Sequence, residues 1–250
     1  MVALPSLTVA CYNVRGLRDD PRAVADVIRA MAPDLLVLAE APRTWLRRRR
    51  CAALAAEVGM RIVAGLRERG EGNLILAGPE ISVLASTTLR LPRRPFQRPR
   101  TAVLARCVAF GSAPYGSVPS GSAQFNAAPI TVVGTHLSTV AAERGDQIER
   151  VAAAAQAFSE VDDALIVAGD FNEAPGGVVW QRLSTLGLVD VGAADPAPTF
   201  STRRPRRRID AVFCSDSLAP RNYRVWRAGE VVSASDHFPI IVELEPVAMR

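Results

Sequence analysis

An apolar run in the second half of the sequence ends in a carboxylate and a carboxamide. Residues 164–168 are Ala-Leu-Ile-Val-Ala, and they lead through Gly169 to Asp170 and Asn172. A short apolar run bounded by polar turn residues is typical of a strand that is buried on both faces. The two polar side chains could face an oxygen-rich substrate together, or they could only shape an Asx-type turn. Polar residues at the ends of other strands favour the first interpretation.

Further polar side chains stand at the ends of predicted strands along the whole chain. The sequence contains only two histidines, and both adjoin a predicted strand. A single histidine after a strand is more often structural, but two histidines that both lie beside polar strand-end residues favour a functional site. Each one alone also has a structural explanation, as a turn former, a helix-entry carboxylate or a partner for arginine. The candidates are Asn13, Glu40, His136, Asp170, Asn172, Asp210, Asp236 and His237.

Strands and helices are predicted to alternate in two similar halves of the chain. Helical spacing of apolar residues predicts helices over residues 21–31, 45–58, 141–161 and 178–186. Short apolar runs between turn residues predict strands over 7–12, 34–39, 61–64, 73–77, 81–89, 101–110, 130–134, 164–169, 209–214, 222–228 and 238–244. A segment rich in Gly, Pro, Ser and Ala predicts a surface loop over 111–129. The strands are too apolar for a sheet with one exposed face, so we expect α/β sheets covered on both sides.

Length and composition indicate one globular unit. With 250 residues, 49% of them hydrophobic, the chain can bury one sizeable core, and no linker-like tract interrupts it. We therefore expect a single domain over residues 1–250. The four cysteines form no CxxC or Cys/His cluster, which argues against zinc and disulfides. The N-terminus lacks the pattern of a signal peptide or transmembrane span, so we expect a cytoplasmic protein; its oligomeric state is not indicated.

The positive charge of the chain comes entirely from arginine. The net charge is +5, the sequence contains no lysine, and arginines cluster at 47–50, 93–100 and 203–208. A basic balance favours an anionic partner such as nucleic acid, phospholipid or a small phosphate ester. Arginine without lysine beside abundant alanine also agrees with a mutational bias toward GC-rich codons, so charge by itself carries little weight.

The motifs, taken in order, resemble the endonuclease/exonuclease/phosphatase superfamily with its deoxyribonuclease I-like fold. The resemblance spans residues 7–244, and its details are those of the general bacterial branch. It implies a four-layer α/β sandwich: two mixed, mainly antiparallel sheets packed face to face, helices outside, and a site at one end of the sheets. The motifs are Tyr12-Asn13-Val14-Arg15, Leu38-Ala39-Glu40, Gly72-Asn73, Gly134-Thr135-His136, Gly169-Asp170-Phe171-Asn172, Arg208-Ile209-Asp210 and Ser235-Asp236-His237.

The resemblance also implies a metal site. Glu40 would be the principal ligand of a divalent cation, and Asn13 and Asp236 would complete or support its shell. The cation would be Mg²⁺, with Mn²⁺ as the alternative, since Mg²⁺ is commonly held by one or two carboxylates together with substrate phosphate. Arg15 departs from several DNA-repair members of the family, and its charge argues against a second metal and against an abasic-site nuclease.

The remaining roles implied by the resemblance concern proton transfer and phosphate binding. Asp170 would orient or deprotonate the attacking water, and Asn172 would bind a phosphate oxygen. His237 would contact or protonate the phosphoryl group, oriented by Asp210, whose pairing raises the imidazole pKa. His136 would be a second phosphate ligand or the general acid.

These observations together predict a divalent-metal-dependent phosphoesterase that hydrolyses P–O bonds by in-line attack of water. Nucleic acid is the expected substrate, because the arginine clusters could follow a phosphate backbone. Asn73 and Arg100 are additional candidates for phosphate binding. With 6% aromatic residues and no aromatic-rich basic stretch, base stacking is not indicated. The alternatives are a phosphodiesterase or phosphatase of phospholipids or small phosphate esters, and a noncatalytic binding module on the same scaffold.

Overall fold

Strands and helices alternate along the described part of the chain. The computed structural model describes residues 6–43, 46–66, 72–109 and 129–247. The strands are β1 (Leu7–Asn13), β2 (Leu35–Ala39), β3 (Arg61–Ala64), β4 (Leu74–Ala77), β5 (Ile81–Arg90), β6 (Thr101–Ala109), β7 (Ile130–His136), β8 (Ala164–Asp170), β9 (Val189–Asp190), β10 (Asp210–Cys214), β11 (Leu218–Val225) and β12 (Ile240–Pro246). The helices are α1 (Pro21–Met31), α2 (Arg47–Glu57), α3 (Ala141–Phe158), α4 (Val178–Thr185) and α5 (Val231–Ala234).

The strands form two six-stranded sheets. The first has the order β11-β12-β1-β2-β4-β3, and the second has the order β5-β6-β7-β8-β10-β9. Each sheet contains one parallel pair, β1 with β2 and β7 with β8, among antiparallel neighbours. The predicted loop over 111–129 lies, apart from Pro129, outside the described residues, as does the predicted helix start at Trp45.

Three clusters of buried side chains separate four layers. One lies between the sheets and includes Val9 and Val37 of the first sheet and Val132 of the second. A second cluster lies between the first sheet and α1, α2 and α5, and a third lies between the second sheet and α3 and α4. This arrangement confirms the predicted four-layer α/β sandwich. The four cysteines are buried and unpaired, as expected for small apolar side chains.

Helix α1 shows how local sequence sets the boundaries of an element. Asp20 caps it, since its Oδ1 accepts hydrogen bonds from the backbone N–H groups of Arg22 and Ala23, at 2.8 and 3.3 Å. Pro21 occupies the first helical position, where its missing N–H has no partner to lose. None of the helices in the described ranges is both long and apolar enough to cross a membrane.

The last part of the chain differs from the sequence prediction in its boundaries. β11 begins at Leu218 rather than at 222, because Asn222 forms an irregularity inside the strand and does not start it. Asn222 has a φ of 48°, and the register with β12 shifts between Arg221 and Arg224. The short elements β9 and α5 were not predicted, since segments of this length show no periodicity.

The two sheets approach each other closely at a glycine. Gly134 lies in β7, and a Cβ at this position would lie 2.8 Å from Val37 Cγ1 and 3.0 Å from Val103 Cγ2. Val37 belongs to β2 in the opposite sheet. The absence of a side chain at Gly134 therefore sets the spacing of the sheets beside His136.

We expect Gly134→Ala to destabilise the fold. Overpacking of a core typically costs about 1–3 kcal/mol, which exceeds the roughly 0.5–1 kcal/mol gained when alanine replaces glycine in a strand. Val37→Ala removes the methyl group that the new Cβ would meet. The free energies of unfolding, measured by urea denaturation, should therefore show that the double variant loses less stability than the sum of the two single variants. Additive losses would contradict the close approach of the sheets.

Candidate active site

Strand pairing in the first sheet brings four predicted polar residues to one edge. β1 and β2 run parallel with Asn13 opposite Ala39, so Asn13 and Glu40 leave the sheet side by side. β12 is antiparallel to β1, and the residues that precede it, Asp236 and His237, therefore reach the same edge.

Strand pairing in the second sheet brings the other candidates to the facing edge. β7 and β8 run parallel with His136 opposite Asp170, and Asn172 follows two residues later. β10 is antiparallel to β8 and begins where β8 ends, so Asp210 lies directly opposite Asp170. A hydrogen bond joins the sheets here, because Asn13 Nδ2 donates to Asp170 Oδ2 at 2.9 Å. Residues from both halves of the chain thus meet in one place.

His237 and Asp210 form a buried pair. Nδ1 of His237 lies 2.9 Å from Asp210 Oδ2. Burial by itself lowers the pKa of His237, but the charge and hydrogen bond of Asp210 outweigh it and raise the pKa to about 9. The imidazole is therefore protonated at neutral pH. The Oγ1 atom of Thr199 accepts hydrogen bonds from the backbone N–H groups of Ile209 and Asp210, at 3.1 and 3.2 Å, and the ring centroid of Phe200 lies 4.7 Å from that of His237.

Asp170 is a buried carboxylate with a raised pKa. Burial and the neighbouring charge of Asp210 raise its pKa to about 7, although His237, the Asn172 backbone N–H and the Asn13 amide oppose the shift. The Asn172 N–H donates to Oδ1 of Asp170 at 2.9 Å, and Nε2 of His237 lies 3.8 Å from Oδ2. A carboxylate in this environment can accept a proton near neutral pH.

His136 has the opposite electrostatic environment. Arg100 Nη1 lies 2.8 Å from His136 Nδ1, and a guanidinium can only donate, so Nδ1 accepts and the ring proton is on Nε2. Burial first, and then the positive charge of Arg100, lowers the pKa of His136 well below 6.5. Its Nε2–H lies 3.4 Å from the acceptor Oδ2 of Asp170, whereas Asn172 Nδ2, at 3.0 Å, is itself a donor and makes no hydrogen bond to Nε2 in this tautomer. This neutral ring suits a phosphate ligand, the first of its two expected roles, better than a general acid.

Glu40 is the most exposed of the predicted metal ligands. Its side chain is 35% exposed, and Oε1 lies 3.7 Å from His136 Nδ1. The backbone of Glu40 is left-handed, with φ 54°, and its carbonyl accepts a hydrogen bond from Gly16 N–H at 2.6 Å. Asn13 Oδ1 accepts a hydrogen bond from the Arg15 N–H at 3.0 Å, which leaves it a second lone pair.

Asp236 is paired with an arginine. Its Oδ2 lies 3.3 Å from Arg15 Nε, and the same guanidinium donates to Asp19 Oδ1 at 3.0 Å. Arg15 also experiences the charge of Glu40, which contributes to raising the arginine pKa after the contributions of Asp19 and Asp236. Arg15, the residue that departs from the family pattern, thus lies among carboxylates at the rim of the site.

Asn73 does not point its amide toward a phosphate site in this arrangement. Its Nδ2 donates to the Thr101 backbone oxygen at 2.7 Å, and Oδ1 is buried without a hydrogen-bond partner. Thr101 is the first residue of β6 and follows Arg100. The side chain therefore holds the first residue of β6, which directly follows Arg100.

Three buried groups offer ligand atoms for a metal ion. The ligand atoms of Asp170, Asp210 and His237 lie within 4.8 Å of one another, and Oδ1 of Asp210 is buried without a hydrogen-bond partner. Two adjacent buried carboxylates also attract a cation, because each raises the energy of the other's charge. The donor chemistry of the site therefore fits a divalent metal, although these three residues differ from the predicted set of Glu40, Asn13 and Asp236.

Sequence reasoning missed the residues that support the reacting groups. The Oγ of Ser235 donates to the Asn13 backbone oxygen at 2.7 Å and thereby joins β1 to the segment carrying His237. Thr199 and Phe200 contact Asp210 and His237 from a loop. The only sequence signal of these two residues is that the pair Thr199-Phe200 resembles the general bacterial branch of the family.

The fold and the site together have the composition of a metal-assisted hydrolase: carboxylates, amides and imidazoles collected at one edge of a sandwich. The chain belongs to the endonuclease/exonuclease/phosphatase family, whose model matches residues 10–237. It is therefore a phosphoesterase by family. Comparison with curated protein sequences gives no significant match.

Solved structures of low sequence identity share the fold. An endonuclease/exonuclease/phosphatase family protein from Bacteroides thetaiotaomicron is 16% identical, with a TM-score of 0.76 and coverage of 98% of this chain and 99% of that one. The mannosyl-6-phosphatase of Bacteroides thetaiotaomicron VPI-5482 is 18% identical, with a TM-score of 0.73 and coverage of 96% and 99%. D. rerio TDP2 complexed with single strand DNA product is 17% identical, with a TM-score of 0.70 and coverage of 96% and 99%.

We expect the pKa values of the two histidines to be shifted in opposite directions in the metal-free protein, with that of His237 raised and that of His136 lowered. In nuclear magnetic resonance spectra recorded with EDTA, His237 should titrate at about 9, and His136 should remain neutral to well below 6.5. Asp210→Asn removes the charge that raises the pKa of His237 while burial remains, so its midpoint should fall. Asp216→Asn, in an exposed turn beyond the far end of β10, is the matched control. A His237 midpoint below 6.5 in the wild type would contradict the pairing with Asp210.

Proposed function

We propose that the protein is a divalent-metal-dependent phosphodiesterase that hydrolyses P–O bonds of nucleic acid by in-line attack of water. One observation carries this proposal. Asp170, with a pKa of about 7, lies between a protonated imidazole and a neutral one, which are His237 and His136. A proton acceptor and two different hydrogen-bond donors therefore converge on one point.

Asp170 is positioned to act on the attacking water. Its Oδ1 and Oδ2 are oriented by Asn172 N–H and Asn13 Nδ2, each at 2.9 Å, so the carboxylate cannot rotate without losing both hydrogen bonds. A pKa near the working pH lets it take a proton from water during attack and release it afterwards. Such an oriented base contributes typically 10²–10⁴-fold to a rate.

Two imidazoles and an amide can bind the phosphoryl group. His237 can donate from Nε2, since Nδ1 is engaged by Asp210, and its positive charge stabilises negative charge that builds on phosphoryl oxygens. His136 can donate its Nε2 proton without carrying charge. The Asn172 amide, held by its hydrogen bond to the Leu137 carbonyl at 2.9 Å, lies beside it.

Glu40 is the proposed principal ligand of the metal, with Asn13 Oδ1 in support. His237 is a weaker candidate than Glu40, because its Nδ1 is engaged by Asp210 at 2.9 Å and a cation at Nε2 would have to displace a proton. The Glu40 carboxylate is open to solvent and adjoins His136, and hard oxygen donors of this kind suit Mg²⁺. A divalent cation held there would neutralise charge on the phosphoryl group.

Arginine-rich segments on two sides of the site support a polyanionic substrate. Residues 203–207 are exposed, and Arg207 stacks on Phe200 at 4.9 Å, next to His237. On the other side, the segment that ends at Arg100 contacts His136. Exposed guanidinium groups flanking a hydrolytic centre are suited to a phosphate backbone.

We expect Asp170→Asn and His237→Ala each to lower the rate of phosphodiester cleavage by about 10²-fold or more. The measurement is hydrolysis of single-stranded and duplex DNA, RNA, sphingomyelin, a sugar phosphate and bis-p-nitrophenyl phosphate, with Mg²⁺ or with EDTA. Wild-type turnover should require the metal and be fastest on nucleic acid.

Asp216→Asn is the matched control for the loss of a carboxylate, and it should retain the wild-type rate. Faster cleavage of the sugar phosphate or of sphingomyelin would replace nucleic acid by that substrate. A folded wild-type protein that cleaves no phosphoester with Mg²⁺ or Mn²⁺ would instead indicate a binding module.

We expect Glu40→Gln to weaken Mn²⁺ binding by about tenfold or more, since the effect of losing a ligand should at least match that of losing an outer-shell partner. Calorimetry or the electron paramagnetic resonance signal of free Mn²⁺ measures this without any substrate. Glu80→Gln, exposed after the far end of β4, is the control. If Asp210→Asn weakened binding more than Glu40→Gln did, the buried triad would be the metal site and Glu40 would not.

A further inference from the structure

A cavity lined by arginines adjoins the candidate active site. Its volume is about 130 Å³, and its walls carry four guanidinium groups and a single carboxylate, that of Glu40. Glu40 also contacts His136, so this residue separates the cavity from the catalytic groups. The arginines are Arg18, Arg43, Arg50 and Arg98.

A turn with left-handed backbone directly precedes Arg18, one of the arginines that line the cavity. Arg15, Gly16 and Leu17 have φ values of 48°, 73° and 52°, so three consecutive residues have left-handed backbone. Such conformations are uncommon outside glycine and persist where surrounding structure imposes them. The imposing contacts are two hydrogen bonds. The Gly16 N–H donates to the Glu40 carbonyl at 2.6 Å, and Arg50 Nη2 donates to the Leu17 carbonyl at 2.7 Å.

The opposite wall of the cavity comes from the segment between β5 and β6. Its base is closed by a hydrogen bond from Leu91 N–H to the Arg100 carbonyl at 2.9 Å. Helix α3 anchors the segment through Glu143, which accepts from Arg94 N–H at 2.6 Å, and through Gln147, which donates to the Pro92 carbonyl at 2.9 Å. Hydrogen bonds thus hold the segment at its base and along the residues that lead to its tip.

The tip of this segment exposes an aromatic ring completely. Phe96 is 103% exposed and has a φ of 65°, although burying a phenyl ring is favourable by about 1.5–3 kcal/mol. Arg98, two residues later, lines the cavity. An exposed ring next to a guanidinium cluster is the combination with which proteins hold single-stranded nucleic acid, since every base can stack on it.

We infer that the cavity binds the phosphate next to the scissile one, and that Phe96 stacks on a base of the same strand. The substrate is therefore a single-stranded nucleic acid that occupies at least two consecutive phosphate positions. This inference rests on the proposed function, because it takes the centre at Asp170 and His237 as the place of cleavage. A sugar phosphate or a simple diester would use neither the cavity nor the ring.

The kinetic test compares substrates with one and with two phosphates. Thymidylyl-thymidine, its 5′- and 3′-phosphorylated forms and bis-p-nitrophenyl phosphate are assayed with the wild type, the Arg18→Gln/Arg98→Gln double variant and Arg150→Gln. Arg150 lies exposed on α3, in the opposite helical layer, and serves as the matched control. We expect one phosphorylated form to be preferred, and the double variant to raise its KM about tenfold more than that of bis-p-nitrophenyl phosphate.

The binding test uses fluorescent hexathymidylate with EDTA, so it does not depend on catalysis. The double variant loses the contacts to the one phosphate in the cavity, so it should lower the magnitude of the slope of log affinity against log salt concentration by about 0.7. Phe96→Ala should weaken binding about fivefold or more, and Phe96→Trp should retain it, because indole also stacks. Arg150→Gln should behave as the wild type.

The outcomes separate the two proposals. Equal rises of KM on all substrates, or an unchanged salt slope in the double variant, would overturn the role of the cavity. Equal binding by Phe96→Ala and the wild type would overturn the role of the ring. A wild-type protein that cleaves no phosphoester but binds hexathymidylate through Arg18, Arg98 and Phe96 would refute the proposed function and support the binding surface.

Discussion

The register between β8 and β10 places two buried carboxylates directly opposite each other, and the rest of the site depends on this contact. Adjacent buried charges of the same sign are unfavourable unless positive charge compensates them. His237 supplies that charge, with Nδ1 at 2.9 Å from Asp210 and Nε2 at 3.8 Å from Asp170. Burial and then the charge of Asp210 raise the pKa of Asp170 to about 7, and the charge and hydrogen bond of Asp210 outweigh burial and raise that of His237 to about 9. The strand register that places Asp170 opposite Asp210 thus produces a base, Asp170, and a protonated imidazole, His237, at neutral pH.

The two histidines acquire different chemistry from their neighbours and not from their own type. His237 hydrogen-bonds to Asp210 and is protonated. His136 is buried beside Arg100 and is neutral, although Asp170 Oδ2 lies 3.4 Å from its Nε2. A protonated His136 would add a second positive charge beside the guanidinium, whereas the neutral ring can still donate a hydrogen bond to phosphate. Asn73 contributes indirectly, because its amide is fixed on β6 next to Arg100. The division of roles therefore depends on side chains that do not touch the reacting group.

Sequence reasoning could predict where the candidate residues lie, and the family resemblance implied the pairing of His237 with Asp210, but the partners of Arg15 and His136 could not be predicted. An apolar run that ends in Asp170 predicts a strand end, and parallel pairing brings such ends to one edge, so the order of motifs suffices for the fold. The salt bridge between Arg15 and Asp236 depends instead on a left-handed turn, and three consecutive positive φ values have no signature when only one of the residues is glycine. The exposure of Phe96 was likewise hidden, because a single aromatic in an arginine-rich segment resembles a buried anchor. The periodicity of apolar residues predicts strands and helices, but it gives no information about ion pairs that residues in loops form.

Two residues of the site have left-handed backbone, and the stability of the packed sheets holds them in this unfavourable conformation. Glu40 and Asn172, each directly beyond or near a strand end, have φ values of 54° and 52°. For a residue with a Cβ this conformation costs roughly 1–2 kcal/mol. The sheets beside them are packed on both faces, so the strand ends cannot shift to relieve the strain. The chain therefore turns sharply at the edge and directs these side chains back over the sheets, toward His136 in both cases. A looser framework would relax these turns, and the carboxylate, the amide and the imidazole would separate even though every residue was still present.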